Sequence, residues 1–129
     1  MRIFLIGLSE GFSRSLARYV GGDARLALAG VAPSLALAGL MIPATQAHLA
    51  LIDWAALEAL PVDALQLLRQ ARPGLRIVCV VDDNEAYRCA AAQAGADAVI
   101  SKAGFAVELQ SLLHDFLPGR FGARGSEYA

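Results

Sequence analysis

Short aliphatic and β-branched runs alternate along this chain with longer stretches in which apolar positions recur every three or four residues. The first run, 2–6, is apolar after Arg2, as expected of a strand buried on both faces. Ser9 offers an N-cap to a helical stretch that sets Phe12, Leu16 and Val20 on one side, and Gly21-Gly22 stops it. A second strand is predicted over 24–30, then a short helix from Ser34 to about Ile42, ended by Pro43. The third strand, 48–53, closes on a carboxylate. Pro61 opens the next helix, where Leu65, Leu68 and Ala71 share a face, and Pro73-Gly74 closes it. Residues 75–81 read as the fourth strand. Asp83 or Asn84 caps a helix that runs to Ala94 and stops at Gly95. A fifth strand over 98–101 precedes a last helix, 105–116, whose buried face is expected to hold Val107, Leu109, Leu112, Leu113 and Phe116.

Five strand–helix units without internal repeat specify an α/β fold. Right-handed crossovers then wind helices onto both faces of one parallel sheet, with its functional edge at the carboxyl ends of the strands. At 129 residues there is room for one domain. Its expected limits are 1–118, with Pro118-Gly119 ending the fold and the glycine-rich 119–129 forming a flexible tail or linker.

Composition narrows the function. Hydrophobic residues make up 57% of the chain and charged residues 18%, enough for a core and too apolar for a disordered segment. Eleven basic and twelve acidic side chains leave a net charge of −1, which argues against direct nucleic-acid binding. Between Leu26 and Ile52 no residue carries a formal charge, but Pro33, Ser34, Pro43, Thr45 and Gln46 break the run below the roughly 20 apolar residues of a membrane span. No membrane association is expected, and the location is read as cytoplasmic. Cys79 and Cys89 have no histidine at ligand spacing and read as two reduced, buried thiols.

Asp53 is the most informative residue. It ends a buried strand, and Lys102, the chain's one lysine, follows the fifth strand in the equivalent place. An anion and a cation at two strand ends can hold a phosphoryl group or each other, or form an ordinary ion pair. A second pattern, Gly7-Leu8-Ser9-Glu10-Gly11, matches the G-x-S-x-G nucleophile elbow between a strand and a helix. Asp82 or Asp83 and then His114 complete the Ser, Asp, His order of a remote hydrolase alternative. His114 falls inside a helix, which argues against it.

Three segments carry a resemblance to a known family. AAQAGADAVISK (91–102) resembles the fourth helix, fifth strand and characteristic lysine of response-regulator receiver domains. PVDALQLLR (61–69) resembles the start of their third helix, and HLALIDW (48–54) the strand bearing the phosphoacceptor aspartate. The likeness covers Met1 to Phe116. It implies a flavodoxin-like sheet in the order 2-1-3-4-5, Asp53 at the phosphoacceptor position and Lys102 as its phosphate or ion-pair contact.

The departures are equally specific. Where the family places two metal-binding acids this chain has Gly7 and Leu8; at the hydroxyl position it has Val80 and Val81; at the switch aromatic it has Val99. The loop after Asp53 is about three residues longer than the common pattern. Phosphoryl transfer to a carboxylate needs a dication and donors to neutralise the oxygens. The resemblance with these losses implies a pseudo-receiver: no enzyme, no cofactor, and action through contacts with a signalling protein such as a histidine kinase, an output domain or another regulator. The rival is a working receiver phosphorylated on Asp53, with magnesium held by Glu10, Asp82 or Asp83 as substitute ligands. The helix from Ser34 has no polar face, and packing Ala38, Met41 and Ile42 inward would expose Leu37 and Leu40 as a surface for a partner or a second copy.

Overall fold

The structure is a computed structural model of the 129-residue chain and describes residues 1–56, 64–82 and 84–116. The strands are β1 (Arg2–Ile6), β2 (Ala27–Ala32), β3 (Leu49–Asp53), β4 (Arg76–Val81) and β5 (Ala98–Ser101); the helices are α1 (Glu10–Gly21), α2 (Leu35–Thr45), α3 (Ala64–Ala71), α4 (Glu85–Gln93) and α5 (Phe105–Phe116). All strand pairs are parallel, in the order β2-β1-β3-β4-β5. This is the expected doubly wound sheet.

Side-chain alternation divides the core in two. Phe4, Ile6, Ala50, Ile52, Ile77 and Cys79 pack beneath α2, α3 and α4 through Ala38, Ile42, Leu68 and Ala91. Ile3, Leu5, Leu49, Leu51, Val78 and Val80 pack beneath α1 and α5 through Leu16, Val20, Leu109 and Leu113. Strands buried on both faces need unbroken apolar runs, which is why β1, β3 and β4 lack polar alternation. Ser9 caps α1 by accepting from Phe12 N at 3.3 Å, and Asn84 caps α4 by accepting from Ala86 N and Tyr87 N.

Four expectations need correction. β2 starts at Ala27 and reaches Ala32, because Arg25 N and its guanidinium bind the Asp23 carboxylate and turn 23–26 into a tight corner. Helix α2 runs through Pro43 to Thr45. Proline there removes a single bond near the helix end, and Gln46, at φ 55°, closes it in the left-handed region. Val107 is 75% exposed, since Leu109 and Leu113 set the buried stripe of α5 and a residue two places away faces elsewhere. Cys89 is exposed, two positions from the buried Ala91 of α4, while Cys79 is buried as expected.

One glycine is dictated by packing. The Phe4 ring lies over Gly30, where an added Cβ would sit 2.7 Å from Cε2. Near it the β1–β2 register slips, Ile3 facing Leu28 while Phe4 faces Gly30, so that Ala29 is the bulged residue. The expected helix start at Pro61, the long loop after Asp53, the Asp83 cap, the Phe116 side chain and the tail 119–129 lie outside the described residues.

Candidate functional site

β3 is the middle strand and all five of its residues are buried, so it delivers Asp53 to the carboxyl edge of the sheet with little freedom. The carboxylate is engaged on both oxygens. Oδ1 accepts from Ala55 N at 3.0 Å, which starts the 3-10 turn Trp54–Ala56, and Oδ2 lies 3.2 Å from Lys102 Nζ. Lys102 is aimed by its own backbone, whose N–H donates to Val81 O at 2.9 Å and continues the β4–β5 ladder one residue past β5. Asp82 Oδ1 approaches the same ammonium at 3.5 Å. Burial alone would lower the Lys102 pKa; the hydrogen bond to Asp53 and the fields of Asp53 and Asp82 outweigh it and raise it. Two anions share one cation.

The neighbouring positions are apolar or bare. Gly7 sits at φ 68° and donates its N–H to Ala32 O, a turn that favours glycine on backbone grounds. Leu8 packs against the α1–α5 core. Val80 is buried toward that same core and Val81 toward the α2–α4 core, where half-buried Val99 also packs. Glu10 is directed to solvent and pairs with Arg14 one turn along α1. Asp83 lies outside the described residues.

Magnesium, which the working-receiver alternative would require, asks for about six oxygens in octahedral array, commonly with one or two carboxylates. The oxygens of Asp53 and Asp82 that face the edge are turned to the Lys102 ammonium, and no group of three or more Asp, Glu, His or Cys among the described residues could hold a metal ion. In this arrangement the described donor set does not fit the ion.

Ser9 and His114 are not brought together. Ser9 caps the amino end of α1, whereas His114 lines a hollow of about 210 Å³ with Tyr19 and Asp23 at the opposite end of that helix. Twelve residues of helix put those ends about 18 Å apart. Leu37 and Leu40 are exposed on α2, as expected, and Met41 is half-buried beside Ala38 and Ile42. No helix among the described residues is long and apolar enough to cross a membrane.

Two polar networks carry no local signal in the sequence. Asp97 Oδ2 accepts from Ile77 N at 2.7 Å and pairs with Arg69 at 3.3 Å, fastening α3 to the start of β5. Glu108 gathers Ser101 Oγ at 2.6 Å, Ser101 N at 3.3 Å and Arg88 at 3.1 Å, joining α4, β5 and α5 beside Lys102. Burial would raise the Glu108 pKa, but the bonds from Ser101 and Arg88 prevail and lower it. The partners are separated by up to 28 residues, beyond any periodicity argument.

No protein-family model and no curated protein matches the chain. Solved structures do. The RcsB response regulator of Salmonella typhimurium superposes with a TM-score of 0.78 at 14% identity, over 92% of this chain and 60% of that one. The chain has the fold of a response-regulator receiver domain. The receiver domain of the response regulator NarL from Mycobacterium tuberculosis gives a TM-score of 0.73 at 20% identity, over 89% of this chain and 94% of that one. The response regulator domain of Thermotoga maritima CheB gives 0.72 at 16% identity, over the same shares. The receiver fold thus accounts for nearly the whole of NarL's and CheB's domains, and for about three fifths of the RcsB chain.

Proposed function

We propose that this chain is a receiver-type domain of two-component signalling that works in the cytoplasm through protein contacts, without a phosphorylation cycle and without catalysis. The observation that carries the reading is the state of Asp53. Its two oxygens are occupied by Ala55 N–H and the Lys102 ammonium, Asp82 adds a second anion to that cation, and Gly7 and Leu8 stand at the acid-pair positions. A phosphoryl donor approaching Asp53 meets two carboxylates and one lysine. Without a dication the charge on its oxygens has too few partners. The ion pair instead ties the carboxyl ends of β3, β4 and β5 together in one arrangement, which a kinase, an output domain or another regulator reads as a constant surface.

Trp54 provides the test, since it adjoins Asp53 and packs half-buried against the α2–α4 core. Its fluorescence is followed during addition of magnesium, then beryllofluoride or acetyl phosphate, with intact mass measured in parallel. The expected result is no saturable magnesium response and no mass increase. A phosphoryl adduct that disappears in Asp53→Asn would establish the working receiver in its place.

A further inference from the structure

We infer that two copies of this chain associate through the outer edge of β2, in antiparallel register, to make one continuous ten-stranded sheet. Among the described residues β2 pairs with β1 on one side and with no strand on the other. Its outward amide and carbonyl groups are left to solvent, and an extended strand is the partner that can pair with a whole row of them. Folded proteins commonly guard such an edge with charge. On the opposite edge strand, β5, the Ser101 N–H that faces away from β4 donates to the Glu108 carboxylate. β2 has no such guard: from Leu26 through Ala47 no residue is charged, a stretch that spans β2, the following turn and all of α2.

That neutrality favours a second copy over an unrelated partner. Across a two-fold axis the residues nearest the axis meet their own counterparts, so a charge there would repel itself, and this stretch has none. The bulge at Ala29 adds a geometric match. Leu28 faces Ile3 and Val31 faces Leu5, so these two residues, three apart, lie on the same side of the sheet. An axis between Ala29 and Gly30 then sets Leu28 of each copy opposite Val31 of the other, on one face. Both are exposed, at 39% and 48%, and would cover each other. On the other face the two α2 helices flank the seam with Leu37 and Leu40, the latter 79% exposed.

The inference is independent of whether Asp53 accepts a phosphoryl group, because the edge lies on the far side of β1 from β3. Its test is sedimentation velocity of the full chain from micromolar to near-millimolar concentration, with amide exchange at both extremes. The mass should rise toward twice 13.5 kDa, and β2 amides should gain protection only at high concentration. Leu28→Lys and Val31→Lys should each weaken association by about tenfold or more with unchanged thermal melts, while Val107→Lys on α5 leaves it intact. A chain that stays monomeric throughout, a dimer indifferent to both lysines, or β2 amides that exchange equally fast in the dimer would overturn it.

Discussion

Ser101 Oγ donates to Glu108 Oε2 at 2.6 Å, one residue before the lysine that holds Asp53. The end of β5 is therefore fastened from two directions, by Lys102 to β3 and by Ser101 to α5, with Arg88 of α4 completing the second attachment. Removing the Glu108 carboxylate strands three donors. Glu108→Ala should cost about 1–3 kcal/mol in denaturant unfolding, toward the lower end because the site is part-exposed. The sign with pH follows from the lowered pKa: the carboxylate contributes stability above its unfolded value, near 4.5, and that contribution goes as pH falls through the folded value. Glu108→Gln should show a shallower loss of stability on acidification than the unaltered chain. An identical acid profile would remove the assignment.

Lys102→Met leaves Asp53, only 9% exposed, with Ala55 N–H and no cation. Stability should fall by about 1–3 kcal/mol, less than for a pair wholly cut off from water. Asp53→Asn should cost less than this, since an amide oxygen can still accept from Ala55 and Lys102 keeps Asp82. The raised pKa of Lys102 means its pairing is fully present below about 10.5 and is lost as pH climbs through the higher folded value. Equilibrium unfolding at alkaline pH should show that loss in the unaltered chain and a smaller one in Lys102→Met.

The two thiols should separate cleanly under a disulfide reagent such as Ellman's. Cys79 is sealed under the α2–α4 layer, where burial pushes its pKa up to about 12, while Cys89 is open to solvent on α4. Thiolate is the reactive form. One equivalent should react in the native chain, abolished by Cys89→Ser, and the second only after unfolding. Rapid release of two equivalents without denaturant would contradict the packing of β4.

The existence of the strands is legible because buried strands leave unmistakable runs, 49–53 and 76–81 above all, and because turn residues such as Gly95 punctuate them, whereas their order in the sheet comes from the receiver-domain resemblance. The ends were less legible. The Asp23–Arg25 corner that delays β2 is made by side chains, and Pro43 inside α2 forfeits only its own bond to the preceding turn without ending the helix. At the site, Asp53 and Lys102 could be placed near each other because each ends a strand, and parallel strands bring such ends to one edge. Asp82 is read from the sequence as a candidate metal ligand, and the structure instead makes it a second partner of Lys102. Arg88, Glu108 and Asp97 were invisible, since their partners meet through the packing of helices on the sheet, and nothing local in the sequence marks a carboxylate that a distant backbone N–H will need.

His48 gives the chain a sensitivity to mild acid. Its Nδ1 accepts from Arg2 N at 2.9 Å at the start of β1, which requires that nitrogen to be unprotonated. Burial, followed by the positive charges of the chain terminus, Arg72 and Arg2, lowers its pKa. A folded pKa below the unfolded value of 6.5 means the native state favours the neutral ring. Its contribution is complete above about 6.5, declines as pH falls below it, and levels off once pH passes the lower folded value. Thermal melts between pH 7 and pH 5 should therefore show a loss of stability that His48→Asn reduces, because an amide oxygen can accept from Arg2 N–H and does not titrate. If the asparagine variant loses as much stability as the unaltered chain across that interval, the ring's bond to β1 is not what the acid breaks.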